Sequence, residues 1–372
     1  MHRRPAFYLL AFLALAGGSR AGVLPDDRGD VMYHSYVGGG VEIDGPSVLV
    51  RKKVGSNFSF VGNYYVDYVS SASIDVVTQA SPYTEQRNQW SLGMDYLRGN
   101  TTMSVNYTNS EESDFDAKTF GFAVSQDLFG DLTTLTLSYA YGDDLVRRSD
   151  DPTFQEPATR QMYGIGVTQI LTRDLIATLN FETATDEGYL NNPYRSVRYL
   201  DPGSPLGYSW EPEVYPHTRT SNALGIRARY YLPYRAAVEL EVRGYTDTWD
   251  IDGLMGAIMY VHPYGPWTFT AKYRYHGQNS AHFYRDIFLR PQATNFRGRD
   301  KELSELYSNT YSIRASYQFI DENKGWNFVK KGTVTAAYDR LDIKYPDFTN
   351  LLTGGYYVLD ANVVQLFVSF WY

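Results

Sequence analysis

The sequence predicts an all-β protein, a transmembrane antiparallel β-barrel, and three observations lead to that prediction. Short segments alternate apolar and polar residues with period two, as strands do when their two faces meet different surroundings. Short turns and long connections alternate between those segments, which is typical of outer-membrane barrels. The chain has 34 Tyr, 19 Phe and 6 Trp but a mean hydropathy of −0.38, which fits aromatic girdles around a polar lumen.

The strand pattern is clearest in segment 267–276. Its odd-numbered positions are aromatic or alanine and are expected to face lipid, whereas Lys272 and Arg274 fall on the opposite face. Segment 311–319 repeats the pattern with Arg314 inward, and segment 90–96 does so with Asp95 inward. Periodicity alone does not separate this fold from a soluble barrel, in which the two faces exchange roles.

One hairpin can be predicted in register, with its turn centred on Tyr234. Counting outward from that turn places Arg229 opposite Glu239 and Arg227 opposite Glu241. Such a ladder either shapes the field met by a passing ion or is a solvated set of ion pairs without a transport role. The residues predicted to line the lumen are Asp67, Asp95, Arg227, Arg229, Glu239, Glu241, Arg243, Lys272, Arg274 and Arg314.

The last strand is predicted to carry an assembly signal for the barrel assembly machinery. It has an apolar stripe that ends on an aromatic residue, formed by Val364, Leu366, Val368, Phe370 and Tyr372. The alternative interpretation is an edge strand of a soluble β-protein.

The first residues are predicted to form a secretory signal peptide, residues 1–21, that directs export through the Sec pathway. A basic start is followed by an apolar run over residues 6–16 and by small residues before a cleavage site after Ala21. The apolar run is too short to span a membrane. The chain has no Cys, which excludes disulfides and a lipidated cysteine.

The remaining chain divides into a segment 22–46 and a barrel over residues 47–372. The first segment is either a plug that precedes one strand or part of an up-down pair of strands that turns at Asp44-Gly45-Pro46. An even strand number is required when both termini lie on the periplasmic side. We therefore predict sixteen strands, with fourteen as the alternative.

Three groups of residues are candidate binding sites. His34, Glu42 and Asp44 could hold a divalent metal, although the glycines between them also fit a kink and a turn. An acidic turn over residues 111–116 offers oxygen ligands for calcium but lacks the spacing of a calcium loop. The loop 186–220 is rich in aromatic residues, which could form a binding surface, constrict the lumen or pack together to protect the loop: Tyr189, Tyr194, Tyr199, Tyr208, Trp210 and Tyr215.

The composition also weighs against two classes of function. A net charge of −8 and a pI of about 5.3 argue against nucleic-acid binding, which needs a basic surface. Motifs of hydrolases, metalloproteases and phosphate-binding loops are missing, and the histidines are scattered. We expect no enzyme and no obligatory cofactor, with an outer-membrane hydrolase as the alternative.

Several segments resemble a bacterial domain-of-unknown-function family, numbered thirty-five seventy. They are YHSYVGGGVEIDGPSVLVRK at 33–52, YYVDYVSSASIDVVTQASPYTEQR at 64–87, TTMSVNYTNSEESDFDA at 101–117, FGDLTTLTLSY at 129–139 and NNPYRSVRY at 191–199. The resemblance implies an outer-membrane barrel of unsettled function with no established catalytic residues. It also implies an association with periplasmic redox proteins, namely flavin-attachment and thioredoxin-like systems.

These observations predict a barrel in the outer membrane of a Gram-negative bacterium, surrounded by outer-membrane lipids. The leading functional prediction is a porin-like channel for small polar solutes or ions, whose charged wall favours anions locally. The alternative is a structural or partner-binding barrel that serves a periplasmic redox or export system.

Overall fold

The computed structural model describes residues 22–71, 83–321, 326 and 328–372. The predicted signal peptide, residues 1–21, lies outside the described residues. So does most of the long connection predicted near residues 70–85.

The described residues form eighteen strands and one short 3₁₀ helix, Lys301–Leu303. The strands are β1 (Arg28–Gly38), β2 (Val41–Val54), β3 (Phe58–Ser71), β4 (Tyr83–Arg98), β5 (Thr101–Glu111), β6 (Phe115–Leu128), β7 (Thr133–Arg147), β8 (Gln155–Thr172), β9 (Leu175–Gly188), β10 (Ser196–Leu200), β11 (Tyr208–Pro212), β12 (Thr218–Tyr231), β13 (Ala237–Asp247), β14 (Asp252–Tyr264), β15 (Trp267–Gln278), β16 (Leu306–Ile320), β17 (Lys331–Thr349) and β18 (Tyr356–Trp371). The described chain contains no helix capable of crossing a membrane.

Sixteen of the described strands form one closed antiparallel barrel, which confirms the predicted fold and strand number. Each barrel strand pairs with its neighbours in chain order, except that β9 pairs with β12 because β10 and β11 form a separate hairpin. Closure occurs between β1 and β18, from the pair Arg28–Trp371 to the pair Gly38–Ala361. A closed sheet leaves no unpaired edge, as a transmembrane sheet requires.

From Arg28 onward the N-terminal segment belongs to the barrel wall, which favours the paired strands over the plug of the two predicted alternatives. β1 and β2 are joined at Gly39-Gly40, where both residues have positive φ as a two-residue hairpin turn requires. The turn predicted at residues 44–46 does not form, because these residues lie inside β2. A Cβ at Gly45 would lie 1.9 Å from the carbonyl oxygen of Val66, so this glycine permits close approach of β3.

The outward face of the barrel is an apolar band flanked by aromatic residues. On β15 and its neighbour, Trp267 packs on Tyr317 with ring centroids 4.8 Å apart, and Tyr273 packs on Tyr311 at 5.3 Å. The two pairs are separated by six residues, about 20 Å along the strand. This arrangement matches the aromatic girdles of transmembrane barrels.

The two ends of the barrel differ. The turn end carries short connections such as 99–100, 173–174 and 265–266, together with the first residue of β1 and the last residue of β18. The loop end carries the long connections, of which the longest described are 189–217 and 279–305. The connections predicted near 143–158 and 343–360 are shorter than expected, because β7, β8, β17 and β18 extend into them.

We predict that Leu240→Arg destabilises the barrel by about 2–4 kcal/mol, because it places a charge on the lipid face near the middle of the membrane. Leu240 is half exposed on the outward face of β13. The free energy of unfolding in urea from liposomes measures the effect.

Met259→Arg is the matched control for this prediction. Met259 lies on the inward face of the neighbouring strand, between Glu239 and Lys272 in the pairing register. A larger loss of stability from Met259→Arg than from Leu240→Arg would show that the two faces are assigned in reverse.

Candidate functional site: the inner wall and the mouth

The inner wall of the barrel is polar and charged, and all ten predicted lumen-lining residues lie on it. Residues that are an odd number of positions away from them on the same strands are exposed and apolar and belong to the outward face, for example Leu224, Ile226, Leu240 and Val242. Alternation and pairing therefore place the ten side chains inward. They are Asp67, Asp95, Arg227, Arg229, Glu239, Glu241, Arg243, Lys272, Arg274 and Arg314.

The hairpin β12–β13 forms the ladder of opposite charges that its sequence predicts. Arg229 lies opposite Glu239, and their side chains are 2.5 Å apart. Arg227 lies opposite Glu241, with a donor–acceptor distance of 3.0 Å. These two arginines are therefore neutralised by partners on the adjacent strand.

Arg243 is also paired, but with a residue that the sequence analysis did not identify. Its guanidinium donates to Glu182 of β9 at 2.8 Å, across the intervening strand β12. Glu182 is at an inward position of the period-two pattern, so the alternation in β9 was a signal that could have identified it.

A second polar constellation lies on the inner wall of β1, β3 and β4. Nε2 of His34 lies 2.8 Å from Oδ1 of Asp67 and 3.0 Å from the hydroxyl of Tyr65. Arg87 reaches the other oxygen of Asp67 at 2.9 Å. His34 is only 6% exposed and Asp67 is also buried. The carboxylate of Asp67 is therefore enclosed between the imidazole of His34 and the guanidinium of Arg87.

Asp95 lies nearer the turn end on the same side of the barrel. It accepts a hydrogen bond from Arg51 of β2 at 2.5 Å and another from Ser104 of β5 at 2.7 Å. Arg51 and Arg87 were not predicted, although both occupy inward positions of alternating strands.

The metal site predicted from His34, Glu42 and Asp44 does not form. His34 points inward, whereas Glu42 and Asp44 are at positions of the opposite parity and lie on the outward face. Asp44 accepts a hydrogen bond from Tyr33, which is also outward. The prediction folded His34 back toward Glu42 and Asp44, but these residues lie in two paired strands, β1 and β2, with His34 on the opposite face.

A different group of carboxylates gathers at the loop end. Oxygen atoms of Glu85, Glu112 and Asp114 lie within 4.8 Å of one another among the described residues. The backbone N–H and hydroxyl of Ser113 donate to Glu85 at 3.2 and 2.6 Å. Two members come from the predicted acidic turn, whereas Glu85 is on β4 and could not be assigned to it from sequence.

The loop end is covered on one side by a group of buried side chains that we call the mouth cluster. Inward residues of β17 and β18, such as Tyr345 and Leu359, pack there against Phe283 and Leu303 of loop 279–305. The full set of buried members is Tyr215, Trp249, Ile251, Ala281, Phe283, Tyr284, Leu303, Leu306, Tyr345, Phe348, Tyr357, Leu359 and Ala361. The loop therefore lies against the inner wall and narrows the mouth.

Loops 189–217 and 279–305 are joined to each other by backbone and charge contacts. Val214 and Arg297 exchange backbone hydrogen bonds of 2.9 and 2.7 Å. Arg195 pairs with Asp300 at 2.7 Å, and Arg198 pairs with Asp286 at 2.7 Å. Of the loop aromatics considered in the sequence, Tyr215 is buried in this arrangement and contacts Phe283.

Glu213 is the buried carboxylate at the centre of the joined loops. It accepts hydrogen bonds from the backbone N–H of Arg299 at 2.6 Å and from the hydroxyl of Tyr215 at 2.7 Å. Burial, and after it the charge of Asp300, raise the pKa of Glu213 to about 7, against the opposing effects of Arg195 and of the two hydrogen bonds. Burial likewise raises the pKa of Tyr215.

Comparison with known families identifies the chain. The family described as "Protein of unknown function (DUF3570)" matches residues 60–329. The chain belongs to this family. A comparison with curated proteins finds no match.

Solved structures with similar folds are outer-membrane barrels. A bacterial polysaccharide outer membrane secretin is 8% identical, with a TM-score of 0.50, covering 94% of this chain and 100% of that chain. CdiB from Acinetobacter baumannii is 8% identical, with a TM-score of 0.51, covering 92% of this chain and 60% of that chain. At this identity the similarity concerns the fold alone.

We predict that the mouth cluster loosens as the pH rises through about 7, because Glu213 must then ionise while buried. At pH values between the ordinary pKa of 4.5 and the raised value of about 7, Glu213 is protonated in the folded loops and ionised in opened loops. Stability that is present at low pH is therefore lost as the pH rises, on the order of 3 kcal/mol in total. Hydrogen–deuterium exchange in 279–305, corrected for intrinsic rates, should show less protection at pH 8 than at pH 5.

Glu213→Gln is the control for this prediction, since glutamine keeps a hydrogen-bonding side chain of similar shape but does not titrate. The variant should show equal protection at both pH values. A wild-type protein with equal protection at pH 5 and pH 8 would contradict the assignment of Glu213.

Proposed function

We propose that this protein is an outer-membrane channel that passes small polar solutes or ions and whose mouth is narrowed by its own loops. The observation that carries the proposal is a charged inner wall in contact with water. Arg229 points inward near the turn end and its side chain is 56% exposed, and farther along the wall the inward side chains of Arg243 and Lys272 are still 31% and 34% exposed. Exposure of inward cations along the wall supports a water-accessible lumen, which a barrel packed solid with side chains would not leave.

The N-terminal segment supports the channel by not filling the lumen. A segment that occupied the interior would favour a scaffold, but β1 and the first half of β2 belong to the wall. The mouth cluster is the obstruction that remains among the described residues. It lies at one end and on one side, over strands such as β17 and β18.

We place the barrel in the outer membrane with the loop end outside. Long outer loops and short periplasmic turns are the arrangement of such barrels. The proposed location brings contact with outer-membrane lipids, Sec-dependent export and insertion by the barrel assembly machinery, for which the stripe Val364 to Tyr372 remains the predicted signal. Partnership with periplasmic redox proteins remains a prediction from the family resemblance.

We propose transport over catalysis because, among the described residues, the His–carboxylate pair at hydrogen-bond distance is enclosed, whereas His282 and Asp250 at the loop end lie 3.7 Å apart. Burial of His34 and Asp67 keeps a substrate away from the imidazole. Asp67 is also engaged by Arg87, which favours a structural role for this group in joining β1, β3 and β4.

We predict that the folded full-length protein gives stepwise conductance in planar bilayers and that Phe283→Ala raises it. Phe283 is buried in the mouth cluster and contacts the rings of Tyr215 and Trp249 at 5.2 Å. Removing this ring costs about 3–5 kcal/mol of packing, enough to loosen the loops.

Phe296→Ala is the matched control, because this loop phenylalanine is exposed. It should leave the conductance unchanged. If neither the wild type nor Phe283→Ala conducts, the channel proposal fails and a partner-binding barrel becomes the better interpretation.

The proposed orientation predicts opposite labelling of two introduced cysteines in whole cells. Ser204 lies in the β10–β11 hairpin at the loop end, and Asn100 lies in a short turn at the other end. With no native cysteine to interfere, a membrane-impermeant maleimide should label Ser204→Cys alone. Labelling of Asn100→Cys alone would reverse the orientation.

A further inference from the structure

We infer that Lys272, Arg274 and Arg314 form a binding site for small anions, carboxylates or phosphate, on the inner wall. We call these three residues the basic staircase. The inference adds the charge of the solute to the proposed channel function. Passage of an anion through the barrel rests on that proposed function, whereas binding of an anion to the wall does not.

The three cations are spaced along the length of the lumen on two adjacent strands, β15 and β16. In the β15–β16 register, Arg314 is opposite Thr270, Lys272 is opposite Ser312, and Arg274 is opposite Thr310. Successive cations therefore differ by two strand positions, about 7 Å along the strand. Arg314 is nearest the turn end, and Arg274 is nearest the mouth cluster.

Arg274 and Arg314 differ from the other inward arginines of this sector because no carboxylate neutralises them. In the described part of the chain, Arg274 has a 3.4 Å hydrogen bond to the hydroxyl of Thr310. Arg314 is exposed and lies over the ring of Phe367, 5.8 Å from its centroid. Neither has an ion-pair partner within the described ranges, unlike Arg227, Arg229 and Arg243.

The residues beside the two arginines leave room for a ligand. Arg274 is flanked by Ala257 on β14 and by Thr310 on β16. Arg314 is flanked by Thr270 on β15 and by Ala337 on β17. Small side chains on both sides leave the guanidinium of Arg274, and the edge of the Arg314 guanidinium that Phe367 does not cover, open toward the lumen, and the threonine hydroxyls supply further donors.

Two carboxylates lie close to the basic staircase and reduce its positive charge. Glu241 is 3.9 Å from the ammonium of Lys272, but its shorter contact is the 3.0 Å bond to Arg227. Asp339 is inward on β17 at the level of Ser312 and forms no ion pair among the described residues. The three cations outnumber the two carboxylates, and Glu241 also neutralises Arg227. The net charge of the staircase is therefore positive.

Guanidinium groups suit this ligand class because their paired N–H donors match the two oxygens of a carboxylate or phosphate. Water access weakens each contact, so an anion is held loosely at each step. Several weak sites in series are what conduction of a selected ion requires, since tight binding at one site would block the path.

Equilibrium binding of radiolabelled inorganic phosphate to the folded, detergent-solubilised protein tests the site directly. We expect saturable binding that weakens about tenfold in Arg274→Gln/Arg314→Gln, the loss expected when charge-assisted hydrogen bonds are removed. Arg274→Lys/Arg314→Lys keeps both charges but loses the paired donors, and its affinity should fall between those of the wild type and the glutamine variant. Heat-modifiable migration on gels shows that each variant is folded.

The matched control removes the same two charges from the outward face. Lys118 of β6 and Lys344 of β17 are at outward positions and form no ion pair among the described residues. Lys118→Gln/Lys344→Gln should bind phosphate as the wild type does. Equal weakening in the control would assign the binding to general surface charge and would overturn the site.

The reversal potential in a KCl gradient gives the second measurement. In Arg274→Gln/Arg314→Gln it should shift toward cation preference, while the outward control stays at the wild-type value. Conductance with an unchanged reversal potential and unchanged phosphate binding would overturn the basic staircase but leave the channel intact. Phosphate binding without conductance would instead support the site and reject the channel.

Discussion

The closure of the sheet between β1 and β18 is the constraint on which the rest of the structure depends. Backbone N–H and C=O groups in the hydrocarbon have no water to bind, so every strand needs a partner on both sides. Eleven residue pairs between β1 and β18 supply the last of these partners. This closure commits residues Arg28–Gly38 to the wall, and it fixes which side chains face lipid and which face the lumen around the whole barrel.

Most of the fold could be predicted because it depends on contacts between neighbours in sequence. The register of Arg229 with Glu239 follows from one short turn, and period-two alternation then assigns the faces. The first hairpin was harder, since Gly39-Gly40 and Gly45-Pro46 are both turn signals. Pro46 has no N–H to donate, and the β2–β3 pairing is interrupted at residues 45 and 46, so the second signal marks an irregularity inside a strand.

The sequence could predict which charged residues of the candidate site point inward, but not which of them have no ion-pair partner. Sequence alternation places Arg227, Arg243 and Arg274 on one face without showing which of them has a partner. Arg243 is neutralised by Glu182 from a strand that is not its neighbour, a contact that only the folded barrel defines. The mouth cluster and the position of Glu213 depend on contacts between loops about eighty residues apart, as in the pair Val214–Arg297, and no local pattern records them.

In the proposed channel, the mouth cluster and the basic staircase act in series on one side of the lumen. A solute entering from the turn end would meet Arg314 first and Arg274 last, and beyond Arg274 the inward residues of the loop end are covered by loop 279–305. The paired ladder on β12 and β13 keeps the neighbouring wall polar at little net charge, so it does not compete for the same anion. The chain as a whole is acidic, and the local excess of cations is therefore a property of pairing, not of composition. If the proposed channel is correct, its selectivity depends on which charges the strand register leaves without a partner.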